Sequence, residues 1–164
     1  MKKTLVIALL FLGLSGIVYA QEISPNAIGL RIGDNDGFST EVNYQRALSE
    51  NNRLELGLAW RSGNNFDAVK GTGIYQWVWN IDGGFNWYAG VGASVGAFDV
   101  DNDAPFFDDD DNEFFVNAAG DIGIEYRFDI PLLLSLDFRP EVGILNDFDD
   151  SLEFDVALGI RYLF

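Results

Sequence analysis

From about residue 25 onward the chain alternates apolar and polar residues with a period of two, the pattern of a strand with one oily face. No stretch there shows the 3.6-residue spacing of an amphipathic helix. Eight alternating segments can be marked out: 26–33, 38–47, 53–61, 71–81, 85–98, 113–128, 132–144 and 152–164. In the sixth, Phe114, Val116, Ala118, Gly120, Ile122, Ile124, Tyr126 and Phe128 interleave with Phe115, Asn117, Ala119, Asp121, Gly123, Glu125 and Arg127. The eighth sets Leu152, Phe154, Val156, Leu158, Ile160, Tyr162 and Phe164 against Glu153, Asp155, Ala157, Gly159, Arg161 and Leu163. The third places Leu54, Leu56, Leu58 and Trp60 on one face. The fourth is ambiguous, because Ile74 and Val78 fall opposite Tyr75, Trp77 and Trp79.

The connections alternate in length as well. Residues 48–52, 82–84 and 129–131 are short, whereas 62–70, 99–112 and 145–151 are longer; Asp34-Asn35-Asp36-Gly37 is short where a long connection is due. Eight antiparallel strands with one short-turn end and one long-loop end predict an up-and-down β-barrel.

Alternation does not say which face is wet, so residue size and position must. The polar face is crowded with small residues: Gly29, Gly33, Gly57, Ala59, Gly90, Gly92, Ser94, Gly96, Gly123, Gly143, Ala157 and Gly159. Glycine on a solvated strand weakens it, but the lumen of an eight-stranded barrel is barely wide enough for side chains, and small ones make room. The aromatics of the oily face also sort by height. Tyr44, Trp77, Trp79, Trp87, Tyr126, Phe128, Tyr162 and Phe164 fall at one end of their strands, and Phe38, Trp60, Tyr75, Phe114 and Phe154 at the other, with aliphatic residues between. Two aromatic girdles around an aliphatic band are what the two interfaces of a bilayer select.

Charge completes the argument. An Arg facing lipid near the midplane costs about 2–4 kcal/mol, so three or four would consume most of an ordinary domain's stability, about 5–15 kcal/mol. The charged residues of the polar face must therefore point inward. They are Arg31, Glu41, Arg53, Glu55, Arg61, Asp121, Glu125, Arg127, Asp137, Arg139, Glu141, Glu153, Asp155 and Arg161. In a confined lumen each guanidinium needs a carboxylate to offset its desolvation, which predicts an ion-paired plug rather than an open channel.

The N-terminus reads as an address. Lys2 and Lys3 precede an apolar run from Leu5 to Val18, and Val18-Tyr19-Ala20 ends it with small residues where a signal peptidase cuts. The run is short of the roughly 20 residues of a spanning helix. Residues 1–20 are expected to be a cleaved signal peptide and 21–164 the barrel domain. The 164-residue chain has no Cys, which excludes a lipid-modified Cys and disulfides, and no His. It carries 26 Asp and Glu against 10 Lys and Arg, which argues against nucleic acid as a partner.

The final residues, Ile160, Tyr162 and Phe164, are apolar at alternate positions and finish in an aromatic residue. That ending resembles the sorting signal of bacterial outer-membrane barrels, and the eight-segment chain as a whole resembles the small OmpA/OmpX-type barrels. The resemblance implies a closed, all-β, transmembrane barrel in the outer membrane of a Gram-negative cell. It also implies the barrel assembly machinery, membrane lipid and lipopolysaccharide as partners, and a monomer as the working unit.

Enzymes built on such barrels (lipid A deacylases, palmitoyltransferases, phospholipases and omptin proteases) lean on a catalytic His that this chain lacks. Ser94 or Ser135 would want the usual base, and Asp121 with Glu125 is more simply a partner for luminal Arg. The segment DVDNDAPFFDDDDNE starts with Asp99, Asp101 and Asp103 in the manner of a calcium loop, but Ala104 occupies the glycine position and Pro105 follows, so it is not an EF-hand. Asp108, Asp109, Asp110 and Asp111 offer hard-cation ligands, making loosely held Ca2+ or Mg2+ the sole cofactor the sequence admits; the competing reading is a solvated acidic loop. Phe106 and Phe107 within it are apolar enough to touch a partner or the barrel mouth. The expectation is a non-enzymatic outer-membrane protein, structural or surface-interacting through acidic outer loops. Its alternatives are a narrow channel for small solutes and a secreted soluble barrel that binds an apolar ligand.

Overall fold

The structure, a computed structural model, describes residues 23–33, 40–62, 66–100, 113–144 and 152–164. The expected signal peptide lies outside the described residues, as do Phe38, Phe106, Phe107 and the candidate cation ligands Asp101, Asp103, Asp108, Asp109, Asp110 and Asp111. Of Asp99 the described part is its backbone, at the end of a strand.

Eight strands follow one another: β1 (Asn26–Gly33), β2 (Thr40–Ala47), β3 (Asn52–Ser62), β4 (Phe66–Asp82), β5 (Phe85–Val100), β6 (Glu113–Arg127), β7 (Leu132–Gly143) and β8 (Leu152–Leu163). Each pairs antiparallel with the next, and β8 returns to β1, so the sheet closes. Both described termini and the short turns share one end, called here the near end. Closure leaves no sheet edge, the condition for a β-structure that crosses lipid.

The register seats the last residue. Phe164 N–H donates to the Asn26 carbonyl (3.0 Å) and Asn26 N–H to the Phe164 carbonyl (3.1 Å). The Phe164 ring stacks on Tyr162 with centroids 6.3 Å apart. The apolar finish of the chain is thus fixed in the sheet beside its aromatic neighbour.

The molecule is inside-out. In β8, outward Leu158 is 63% exposed while its inward neighbour Ala157 is 2% exposed. Among the described residues, the most buried large side chains include Arg139, Arg161, Glu55 and Gln76. Apolar residues that would fill a soluble core instead ring the exterior, and the buried apolar contacts inside are small: Ala27, Leu133 and Leu163 at the near mouth, and Ala59 with Ala68.

β4 differs from its sequence reading in two ways. It begins at Phe66, where the sequence reads a connection extending to residue 70. The charges of Asp67 and Lys70 imitate a loop, yet Lys70 is buried, as a lumen requires of an inward charge. The ambiguity of its middle resolves with Ile74 and Val78 inside and Trp77 outside. The earlier start also moves Tyr75 away from the strand's far end, where the aromatic pattern put it. Its ring meets Trp77 edge-on at 5.0 Å, and nearer the turn Trp79 stacks on Trp87 at 4.3 Å.

Two glycines let neighbouring backbones approach closely in so small a barrel. A Cβ at Gly29 would strike the Ile160 carbonyl oxygen and come within 2.6 Å of the Arg161 Cα; one at Gly92 would strike the Gly73 carbonyl oxygen and approach the Ile74 Cα to 2.8 Å. The obstacles are backbone and cannot swing away. The two seams, β8–β1 and β4–β5, lie on opposite sides of the ring of eight, and at each the absent side chain lets the neighbouring backbone come close. Gly29→Ala is expected to cost about 1–3 kcal/mol through this overlap, measured as a lower urea midpoint of the refolded protein in micelles.

The β4–β5 turn supplies one left-handed residue, Gly83 with φ of 52°. The register slips between Asn80 and Asp82, and the Asn80 side-chain amide donates to the carbonyls of Gly83 (3.0 Å) and Phe85 (3.2 Å), tying off the turn.

Candidate functional site

The lumen holds nearly all the chemistry. Alternation points the charged residues of every strand inward, and the barrel brings together residues far apart in sequence. Arg31 on β1 donates from Nε to Asp137 Oδ1 on β7 (2.8 Å) and from Nη1 to Asp155 on β8 (2.5 Å). Arg139 on β7 reaches the opposite wall, with Nη1 3.2 Å from Glu41 and Nη2 2.8 Å from Glu55. Arg161 on β8 donates to Asn43 (3.0 Å), Ser135 (2.7 Å) and Glu55 (3.1 Å).

Glu55 is the hub. It accepts from Arg139, Arg161 and the Gln45 amide, the last at 2.5 Å. Toward the near end, Arg53 forks onto Glu125 (2.8 and 3.2 Å), donates to Gln76 (2.6 Å) and lies over the Tyr88 ring, 4.9 Å from its centroid. Lys70 pairs with Glu141 at 2.8 Å, and Glu141 also accepts from Ser94 (2.6 Å) and Asn117 (3.1 Å). These groups are buried, so each pair offsets a desolvation cost that neither charge could bear alone.

Geometrically this is a set of cross-braces. Arg139 spans β7 to β3, four strands apart in a ring of eight and hence across the full diameter. A cavity at the near mouth, lined by Ala27, Gln45, Arg53, Asn86, Glu125 and Leu133 among others, has a volume of about 20 Å3. That is room for about one water.

The charges of the polar face do not all enter this plug. Arg61 and Glu153 are exposed, and Arg127 is half-buried beside the near-mouth cavity. All three have the right face for the lumen but stand at the rims, where their strands leave it. Conversely, Lys70 and the uncharged Asn43, Gln45, Gln76, Asn86 and Tyr88 belong to the lining although no charge pattern marked them. Their signal was the face they share with Glu55 and Arg53.

As chemistry, the arrangement binds itself. Ser135 Oγ receives a hydrogen bond from Arg161, and Ser94 Oγ donates to a carboxylate already engaged by Lys70. Asp121 accepts from the Gln76 amide (2.6 Å), and Glu125 is held by Arg53. Among the described residues no group of three or more acidic side chains is gathered as a metal site would need.

No family model matches the chain, and no curated protein does. Solved structures do. The N-terminal β-barrel domain of Pseudomonas aeruginosa OprF superposes with a TM-score of 0.64 at 13% identity, covering 85% of this chain and 95% of that one. OprG, an outer membrane protein of the same organism, gives 0.58 at 13% identity over 87% and 97%. Ail, the attachment invasion locus protein of Yersinia pestis, gives 0.54 at 15% identity over 86% and 97%, and has also been solved with the heparin analogue sucrose octasulfate. Full-length superposition at such low identity speaks to architecture: the chain has the closed eight-stranded antiparallel barrel fold that these outer-membrane proteins share.

Proposed function

We propose that the protein is a non-enzymatic component of a Gram-negative outer membrane, sealed to solutes and acting as envelope scaffold or through its acidic outer loops. The single observation that carries this reading is the transverse bracing of the lumen. Arg139, Arg161, Arg53 and Lys70 tie opposite and neighbouring walls together, and passing an ion would mean parting buried charges held at about 3 Å. The greasy exterior and full-length likeness to outer-membrane barrels support the location. Together with the outward apolar belt they weigh against a secreted soluble barrel.

The absence of His from the sequence and the self-satisfied serines argue against catalysis. For a surface role, net charge selects the partner's chemistry. A chain of formal charge −16 repels a polyanion such as the heparin analogue bound to Ail, so a basic or cation-bridged surface suits it better.

Reconstitution into a planar bilayer tests the seal. The expected trace shows no unitary conductance at 100 mV in molar salt, and steady channel openings would establish the narrow channel instead. Carbonate washing of cell membranes is expected to leave the protein in the pellet, while release into the wash would favour a soluble barrel.

A further inference from the structure

The seam between β6 and β7 contains a gap with a definite cause. Its register runs unbroken from Asn117↔Gly143 to Ala119↔Glu141 and resumes at Ile122↔Phe138 with no shift. The two pairings missing between them are Gly120↔Pro140 and Asp121↔Arg139. Both depend on one hydrogen bond, from the amide of residue 140 to the Gly120 carbonyl, and proline has no amide hydrogen. Gly120 makes space for the ring: a Cβ there would sit 3.3 Å from Pro140 Cγ. A backbone carbonyl at mid-wall is thereby deprived of its ladder donor, where lipid offers none.

Three side-chain atoms on the residues at and next to this gap also lack partners. Asp121 Oδ1, Asp137 Oδ2 and Arg139 Nε are buried with no hydrogen bond. The register sets Asp121 directly across from Arg139 on the inward face, about 5 Å between Cβ atoms for such pairs, and Asp137 opposite Gly123, one inward step further along. Tyr88 Oη leans over that step, 2.5 Å from where a Gly123 Cβ would be. Among the described residues Asp121 is also the one buried carboxylate outside any ion pair. Beside the Tyr88 hydroxyl, the inventory at this point is the unpartnered donor Arg139 Nε–H and acceptors on Gly120, Asp121 and Asp137.

We propose that a buried water molecule is bound in the wall between β6 and β7 at this point. It accepts from Arg139 Nε–H and donates its two hydrogens to two of the three acceptors, the three-bond complement typical of internal water. A cation bound by the same oxygens would leave the guanidinium donor unserved and face its charge, which is why water suits the site. Such a water makes Pro140 tolerable within a membrane wall by standing in for the lost amide.

Water-selective cross-relaxation NMR on the full protein in lipid nanodiscs tests this. The expected result is a cross-peak of long-lived water to Arg139 Hε and to the Gly120 or Asp121 amide. Pro140→Ala supplies the amide hydrogen, so its own amide is expected to exchange about 100-fold slower than an open one, while the water cross-peak falls several-fold. Arg139 Hε and the Gly120 amide both without water contact in the wild type would overturn the proposal, and that measurement stands alone should the variant misfold. A site signal present in sodium buffer and lost in N-methylglucamine would also overturn it, assigning the site to a cation.

Discussion

Replacing Glu55 by Ala is expected to cost about 3–5 kcal/mol, the loss typical when one member of a buried ion cluster is removed. The reason is what it strands. Arg139 Nη2, Arg161 Nη2 and the Gln45 amide all donate to this carboxylate, so three buried donors and much of two buried positive charges lose their partner. Arg139 retains Glu41 and Arg161 retains Asn43 and Ser135, which keeps the loss within that range. Urea unfolding in lipid vesicles checks the value, with Glu55→Gln as comparison. The amide preserves an acceptor for one donor and should lie between the wild type and Glu55→Ala. A change below about 1 kcal/mol for the alanine variant would mean that the braces are compliant rather than coupled.

The second large effect belongs to the opposite face. Leu158 stands mid-strand in β8, 63% exposed and flanked by Leu136 and Ile32. If lipid covers that surface, Leu158→Arg should destabilise the refolded barrel by about 2–4 kcal/mol. At an exposed site on a protein surrounded by water the same change is worth about 0.5 kcal/mol or less. The two environments predict results several-fold apart, so one variant, measured in vesicles of phosphatidylcholine, distinguishes them. A near-neutral outcome would remove the membrane reading from the exterior of the barrel.

Much of the architecture was legible because alternation is local. Each residue of β6 or β8 declares its face through the size and polarity of its neighbours two positions away, with no need to know its partner strand. Height is harder to read. Alternation gives Arg61, Glu153 and Tyr75 a face, but their places along the barrel depend on where strands begin, and β4 begins at Phe66 under cover of Asp67 and Lys70, charges that look like loop. Partner choice is harder still. Arg31 meets Asp155 across 124 residues and Arg161 meets Asn43 across 118, distances that only closure and register determine. The carboxylates were visible as a class; Gln45, Gln76 and Asn43 were not, because a neutral amide in a strand gives no charge pattern to follow.

Strand length carries one more consequence. β4, β5 and β6 run 17, 16 and 15 residues, whereas about 9–11 suffice to cross a bilayer. Tight turns hold their near ends, so the surplus rises at the other side as a three-stranded parapet, roughly 3.3 Å taller for each added residue before tilt is counted. A cylinder with such a parapet has a front. Among the described residues that ribbon stands taller than the neighbouring strands, so the two sides of the barrel are unequal before a single loop side chain is chosen.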